Sequence, residues 1–412
     1  MVNIFLIIFI YFGILIVYTS IYMYLILNIH KDEIMPKKMN PPLSGIKILD
    51  LSRVLAGPHC TAILGDVGAH VLKIETPNHG DDSRHLGPFK DGESVYFDLI
   101  NRGKDSLELD LKNENDLDIF YDIVAKSDVI VENYRPGVAK RLKVDFETVK
   151  AINPKIIYAS ISGFGQYGPL SQFPAYDITV QAMSGLMSVT GFSETGPTRV
   201  GESIGDIFAG TYAAWAISTA LFARERGAEA QHIDVAMFDV MLSMQMTGLA
   251  NLFANKKAPT IVGNRHPVST PFDTYKAKDG LMVIAVANDK LFATLCKTMS
   301  RDDLIDHQLF KTDALRTKNE AELKQEMEAW LNQHTVDEAC DLLLNNGVPA
   351  APVWNLEEAV NSEQSKAREL FAAAKGSDIP IVTQPVRFND FKSHVTHASP
   401  KLGVSNKNYG KA

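Results

Sequence analysis

The chain is predicted to be an α/β protein, with a Rossmann-like large domain and a smaller α/β domain, on three observations. From Gly45 onward short apolar runs alternate with helix-like segments, the pattern of βαβ units in a mostly parallel sheet. A length of 412 residues, 46% hydrophobic and 22% charged, is ordinary globular composition and enough for two or three cores. Asn255 to Thr260 then reads as a linker, followed by a second set of strand and helix patterns.

In the first set, Ile46 to Leu51 reads as a strand, Thr61 to Val67 as a helix and His70 to Ile74 as the next strand. Asn113 to Ala125 is expected to be helical, with strands at Asp128 to Glu132 and Lys155 to Ile161. A long helix following Asp206 to about Arg226 and a second over Val235 to Phe253 complete this part. The second helix is rich in Met, which reads as core rather than a cofactor box. Beyond the linker, Gly280 to Val286 reads as a strand, and Asp289 to Met299, Glu320 to Gln333 and Thr335 to Asn345 as helices. The expected division is a large domain over 41–253, a small domain over 261–346 and a return segment over 347–412. That return begins at Gly347-Val348-Pro349, and the polar tail after Lys401 is expected to be loose.

Residues 1–40 are a hydrophobic extension or anchor: no charge occurs from Val2 to Asn28, and at about 1.5 Å per residue such a run could cross a bilayer core. Lys31, Lys37 and Lys38 follow it, so an anchor would leave the body on the cytoplasmic side. The competing expectation is an upstream extension, with Met35 or Met39 as the working start.

A net charge of −8 provides no broad basic field, which speaks against nucleic acid and for small molecules as partners. Cys60, Cys296 and Cys340 are scattered and lack metal-ligand spacing, so a reducing, cytoplasmic location and no metal site are expected.

Two short motifs carry less than they suggest. Gly163-Phe164-Gly165-Gln166-Tyr167-Gly168 fits GxGxxG after a strand, but Pro169 and Pro174 fall where the phosphate-binding helix must start. A glycine-rich turn lining a cleft is the better account. Gly201-Glu202-Ser203-Ile204-Gly205 fits the GxSxG nucleophile elbow, with His232 and His266 as candidate partners in a hydrolase. The elbow needs a buried strand before it, and Thr195-Gly196-Pro197-Thr198-Arg199 is polar and broken.

Asp206 stands at the entrance of the long helix. A carboxylate beside unpaired helix N–H groups is expected to stay ionised, and in a cleft it can attack an acyl carbon. Asp is equally a favoured helix cap, so composition alone leaves both readings open.

The company of Asp206 points further. Leu43-Ser44-Gly45-Ile46-Lys47-Ile48-Leu49-Asp50 with Ala56-Gly57-Pro58, then Lys73-Ile74-Glu75, Gly80-Asp81-Asp82-Ser83-Arg84 and Asn101-Arg102-Gly103-Lys104, resembles the family III CoA transferases. Val131-Glu132-Asn133-Tyr134-Arg135-Pro136-Gly137, Ser162-Gly163-Phe164-Gly165, Gln181-Ala182-Met183-Ser184-Gly185 and Gly263-Asn264-Arg265-His266-Pro267 continue the likeness in order, from about Pro42 to Gly403. The resemblance implies an interlocked homodimer of ring-shaped chains, CoA as substrate with no tightly bound cofactor, and Asp206 as the nucleophile. It carries CoA contacts to Ala56, Lys112, Asn133, Tyr134, Arg135 and Arg141; in the reaction so implied, Tyr176 is expected to position substrate, backbone N–H groups near Gly263 to stabilise oxyanions, and Arg265 or His266 to meet the second carboxylate of a dicarboxylic acid.

Departures from the family pattern narrow this. The racemases of the group carry Gly-His-Asp where this chain has Ala175-Tyr176-Asp177, so one base of a two-base proton exchange is missing and transferase is favoured over alpha-methylacyl-CoA racemase. Thr76 replaces an arginine of formyl-CoA transferase, and the glycine run near its active site is reduced to Gly263-Asn264-Arg265-His266, so oxalate or formate is not the expected acceptor. The expected reaction moves CoA from an acyl-CoA to a carboxylic acid, with a short dicarboxylic acid favoured. A non-catalytic CoA-binding subunit is the third alternative.

Overall fold

A computed structural model describes residues 40–391 and 397–411, so the hydrophobic extension lies outside the described residues. Six parallel strands form the main sheet: β1 (Lys47–Asp50), β2 (His70–Glu75), β3 (Asp105–Glu108), β4 (Val129–Glu132), β5 (Ile157–Ser162) and β6 (Gln231–Ala236). Their order is β6-β5-β4-β1-β2-β3, the doubly wound arrangement in which the chain reverses direction between β1 and β4. The central strands β4 and β5 are buried along their whole length, which is why they read as unbroken apolar runs.

Helix α1 (Ala56–Asp66) follows β1 and α2 (Val95–Asn101) precedes β3. In α3 (Glu114–Val124) the Asn113 side chain caps the first turn, accepting from the Asn115 and Asp116 N–H groups, while Leu117, Phe120 and Val124 turn inward. Helix α4 (Asp177–Met183) leads to α5 (Ile204–Glu225), whose buried row of Ala209, Gly210, Ala213, Ala214 and Ile217 is small enough to lie close to α1. A Cβ at Gly210 would stand 2.4 Å from the Ala56 carbonyl oxygen and 3.2 Å from the His59 ring, so only glycine permits this crossing.

Phe272–Lys276 (β7), Leu281–Ala285 (β8) and Ala350–Pro352 (β9) form an antiparallel sheet in that order. Helices Asp289–Thr298, Glu320–Leu331 and Val336–Asn345 cover it, and Met282, Ile284, Leu295, Met327 and Leu343 fill a separate core.

Three expectations are corrected. Val235–Phe253 is not one helix: Val235 and Ala236 end β6, and Met237–Ser243 (α6) and Met246–Asn255 (α7) are separate. The Gln245 side chain donates to the Ser184 carbonyl at the break, a tertiary tie that helical periodicity does not reveal. The segment expected to return after Gly347 first supplies β9, because Ala350 and Ala351 pair with Ile284 and Val283. The tail is docked rather than loose: Ser405 N–H donates to the Ser106 carbonyl at 2.9 Å, Asn406 brackets Glu108, and Lys411 reaches Asp116 at 2.6 Å.

Among the described residues no helix is long and apolar enough to cross a membrane.

Candidate active site

Where β1 and β4 part, their carboxyl ends open a cleft of about 600 Å³, lined by Ser52, Arg53, Lys73, Thr76, Asp81, Lys112, Tyr134 and Arg141 among others. Crevices at such reversal points are where open α/β sheets bind ligands. Lys112, Tyr134 and Arg141 therefore share one cleft, and Lys112 and Arg141 are exposed at its wall.

Beneath it lies a buried charge network. Asp50 ends β1 fully enclosed; its Oδ2 accepts from Lys104 Nζ at 2.9 Å and from the Thr61 hydroxyl at 2.7 Å, while its Oδ1 accepts from the Ser52 N–H and hydroxyl. Lys73 Nζ pairs with Asp81 at 2.8 Å and donates to the Ser52 carbonyl at 2.7 Å. Burial alone would push both carboxyls up, but the cations outweigh it. Lys104 and then Lys73 hold Asp50 far below the carboxylate range, and Lys73 with backbone N–H groups holds Asp81 down at about 2. Lys104 is brought down to about 8, because burial and the neighbouring Lys73 outweigh Asp50.

Asp206 occupies the opposite electrostatic situation. It is not the cap residue: Ser203 is, and Asp206 lies in the first turn of α5. Burial and then the Asp177 carboxylate raise its pKa to about 7, correcting the expectation that helix N–H groups keep it ionised. No hydrogen bond or ion pair to Asp206 occurs among the described residues, so desolvation wins. Its loop is held from below. Asp177 Oδ1 accepts the Gly205 N–H at 2.7 Å, Gln181 Nε2 donates to Asp177 Oδ2 at 2.7 Å, and Gln181 Oε1 accepts the Val200 N–H at 2.9 Å. A Cβ on Gly205 would crowd Asp177 Oδ1 at 2.9 Å.

A close contact ties the helix that carries Asp206 to the helix that follows β1. Gly210, one turn beyond Asp206 and about 6 Å along the helix axis, packs on Ala56 at the start of α1. The half-buried Tyr96 phenol is raised to about 12 by burial first and then by Asp206, Asp81 and Glu202.

The remaining expected residues are placed less uniformly. Asn133 is committed within the chain: its Oδ1 accepts the Arg53 N–H at 2.8 Å and its Nδ2 donates to the Arg53 carbonyl at 2.7 Å. Arg135 is exposed and does not line the cleft. Tyr176, 77% exposed, is the residue before α4. Gly263 has φ of 70°, and its N–H donates to the Gly191 carbonyl at 3.1 Å. Arg265 is paired with Glu320 at 3.1 Å, and His266 stacks on Phe272 at 5.1 Å. No hydrogen bond or ion pair ties these four to Asp206 among the described residues.

The hydrolase reading finds no support: the strand before Ser203 is the two-residue, unburied Gly196–Pro197, which does not run into it, and His232 is bonded to Ser160 at 3.0 Å. The turn at Gly163–Gly168 starts no helix and is fastened to β6 through the Gln166 N–H and Asp234. Sequence reasoning missed Arg53 and the roles of Asp177 and Gln181. The spacing of Asp177 and Gln181 on one helix face was the available signal for that pair.

The sequence matches CoA-transferase family III over residues 43–406. It is 42% identical over 372 residues to an acetyl-CoA:oxalate CoA-transferase of Acetobacter aceti, covering 90% of this chain and 95% of that protein. It is 38% identical to a succinate–glutarate CoA-transferase of Agrobacterium fabrum, covering 90% and 94% respectively. A crystal structure of a CAIB/BAIF family protein from Brucella suis superimposes with a TM-score of 0.81 at 36% identity, covering 90% of this chain and 98% of that one. The chain belongs to CoA-transferase family III, and it is an enzyme of the CoA-transferase type.

Proposed function

We propose that the enzyme moves CoA from an acyl-CoA to a dicarboxylic acid by covalent catalysis at Asp206. The observation that carries this reading is a half-buried carboxylate with no cation paired to it among the described residues, its pKa raised to about 7, on a loop clamped by Asp177 and Gln181. The ionised Asp206 attacks the thioester carbonyl, and the C–S bond breaks to leave a mixed anhydride and CoA thiolate. The thiolate attacks the aspartyl carbonyl and releases the donor carboxylate, giving an aspartyl thioester. The acceptor carboxylate attacks that thioester to form a second anhydride and expel the thiolate. Attack of the thiolate on the acceptor's acyl carbon yields the new acyl-CoA and restores Asp206. Little solvation at Asp206 makes its oxygen a stronger nucleophile and keeps the anhydride from water.

CoA is placed in the switch-point cleft, with Lys112 and Arg141 as phosphate partners and Tyr134 beside them. Tyr176, Gly263, Arg265 and His266 remain proposed acceptor-side residues. Among the described residues none of these four is bonded to Asp206, the completion of the acceptor side is assigned to an interlocked homodimer, and the second copy has a face to cover. On α5 Phe208, Tyr212, Trp215 and Phe222 form an exposed apolar row, Trp215 66% and Phe222 58% exposed. The division into a large domain, a small domain that extends through β9 and a return segment beyond it belongs to the same reading, supported by the separate core of the antiparallel sheet. A cytoplasmic location fits the free cysteines, all buried.

The relatives named for oxalate, succinate and glutarate favour a dicarboxylate acceptor, and the one named for oxalate supports keeping that acid among the candidates. The test is a mass-spectrometric screen of acetyl-CoA and succinyl-CoA against oxalate, succinate and glutarate. New acyl-CoA is expected with at least one dicarboxylate in the native enzyme and none in Asp206→Ala. Equal product from both proteins would refute the role of Asp206.

A further inference from the structure

We propose that Arg53 binds a phosphate group of CoA in the switch-point cleft, and that a left-handed turn at Val54, locked by Asp81, positions it. The inference rests on the reading of that cleft as the CoA site.

Val54 has φ of 65°, a conformation that a β-branched residue adopts only where its surroundings impose it. The surroundings do so. The Val54 N–H donates to Asp81 Oδ1 at 3.0 Å, and Asp81 is itself fixed by the buried Lys73 at 2.8 Å. Lys73 also holds the Ser52 carbonyl, while Asn133 engages both the N–H and the carbonyl of Arg53. The backbone from Ser52 to Val54 is thus gripped by side chains from separate elements. A turn whose sole task was to start α1 could carry glycine or asparagine at position 54 without that cost.

The grip fixes where Arg53 stands. Its guanidinium lines the cleft, 5.7 Å from the Tyr134 ring centroid. Its ion pair within the chain is to Asp82 at 3.5 Å, with both side chains about half exposed. Such a pair is weak and leaves guanidinium donors free for a better acceptor. Lys112 and Arg141 line the same cleft, so it presents cations to a ligand rich in phosphate, and a planar guanidinium can bind phosphate in bidentate fashion.

Steady-state kinetics on Arg53→Ala, Val54→Pro, Val54→Gly and the Arg53→Ala/Val54→Pro double variant test this. Proline cannot adopt positive φ and has no N–H for Asp81, whereas glycine keeps the turn at no cost. Arg53→Ala and Val54→Pro should each raise KM for acyl-CoA about tenfold with kcat within about twofold, and the double variant should be no worse than either. Val54→Gly should stay within about twofold of the native enzyme. An unchanged KM for acyl-CoA in Arg53→Ala overturns the proposal even if Val54→Pro fails to fold. Multiplying effects in the double variant, or a rise confined to the carboxylate KM, also overturn it. Arg141→Ala separates the two readings: if it raises KM while Arg53→Ala does not, the cleft stands and this inference falls; if neither does, both fall.

Discussion

The turn after β1 and the loop before α5 both feed a helix and both are held by buried carboxylates, yet their charges are handled in opposite ways. Around the first, Asp50 and Asp81 are matched to Lys104 and Lys73 and stay ionised. At the second, Asp206 has a carboxylate for a neighbour and its pKa climbs to about 7. A buried carboxylate with a lysine is scaffolding, because its charge is already spent. One without a cation keeps its reactivity for a substrate.

The contrast can be broken from either side. The largest effect is expected at Asp206: alanine there should cost about a thousandfold or more in turnover, because it removes the atom that forms the covalent bond. Its fold should persist, which circular dichroism would check. Asp50→Ala should do the reverse, costing about 3–5 kcal/mol of stability in urea titrations by leaving Lys104 buried without its carboxylate partner. Smaller, at about 1–3 kcal/mol, is Gly210→Ala, which forces a methyl against the Ala56 carbonyl and should also lower activity by moving the entrance of α5. Gly201→Ala, where nothing lies within 4 Å of the added methyl, is the control that should leave both unchanged.

Acidity sharpens the comparison. The reactive form of Asp206 is the ionised one, so kcat/KM for acyl-CoA should rise with pH through about 7 and then level off. Stability runs the other way. A carboxyl whose folded pKa is raised stabilises fully below its unfolded value near 4 and loses that contribution as pH rises through about 7. Asp206→Asn should therefore melt about 2–4 °C above the native enzyme at pH 8, with no such gain below about pH 4. Asp81, held at about 2 by Lys73, contributes the opposite sign, its stabilisation being full above its unfolded value near 4 and lost as pH falls from there through about 2.

Much of this frame was legible in the sequence, for identifiable reasons. β4 and β5 are buried on both faces and so advertise themselves as apolar runs, and α5 runs between an early cap and a late basic turn. Asp206 stood out by its place before a small-residue helix. What stayed hidden depends on side chains meeting across the fold. Lys73 and Lys104 look like surface lysines until Asp50 and Asp81 are brought to them. Val54 looks like any core valine until Asp81 takes its N–H. Asn133 matched a ligand contact in the family pattern, but both its bonds to Arg53 form across the sheet reversal. The docked tail escaped notice because its ties are polar and run to the far edge strand β3.

The most direct measurement follows one oxygen atom. With an acceptor dicarboxylate labelled with heavy oxygen, exchange through two anhydrides leaves a labelled oxygen on the Asp206 carboxylate, which peptide mass spectrometry would find in the segment containing that residue after turnover. A labelled acyl-CoA product formed while that peptide keeps only ordinary oxygen would contradict covalent catalysis at Asp206.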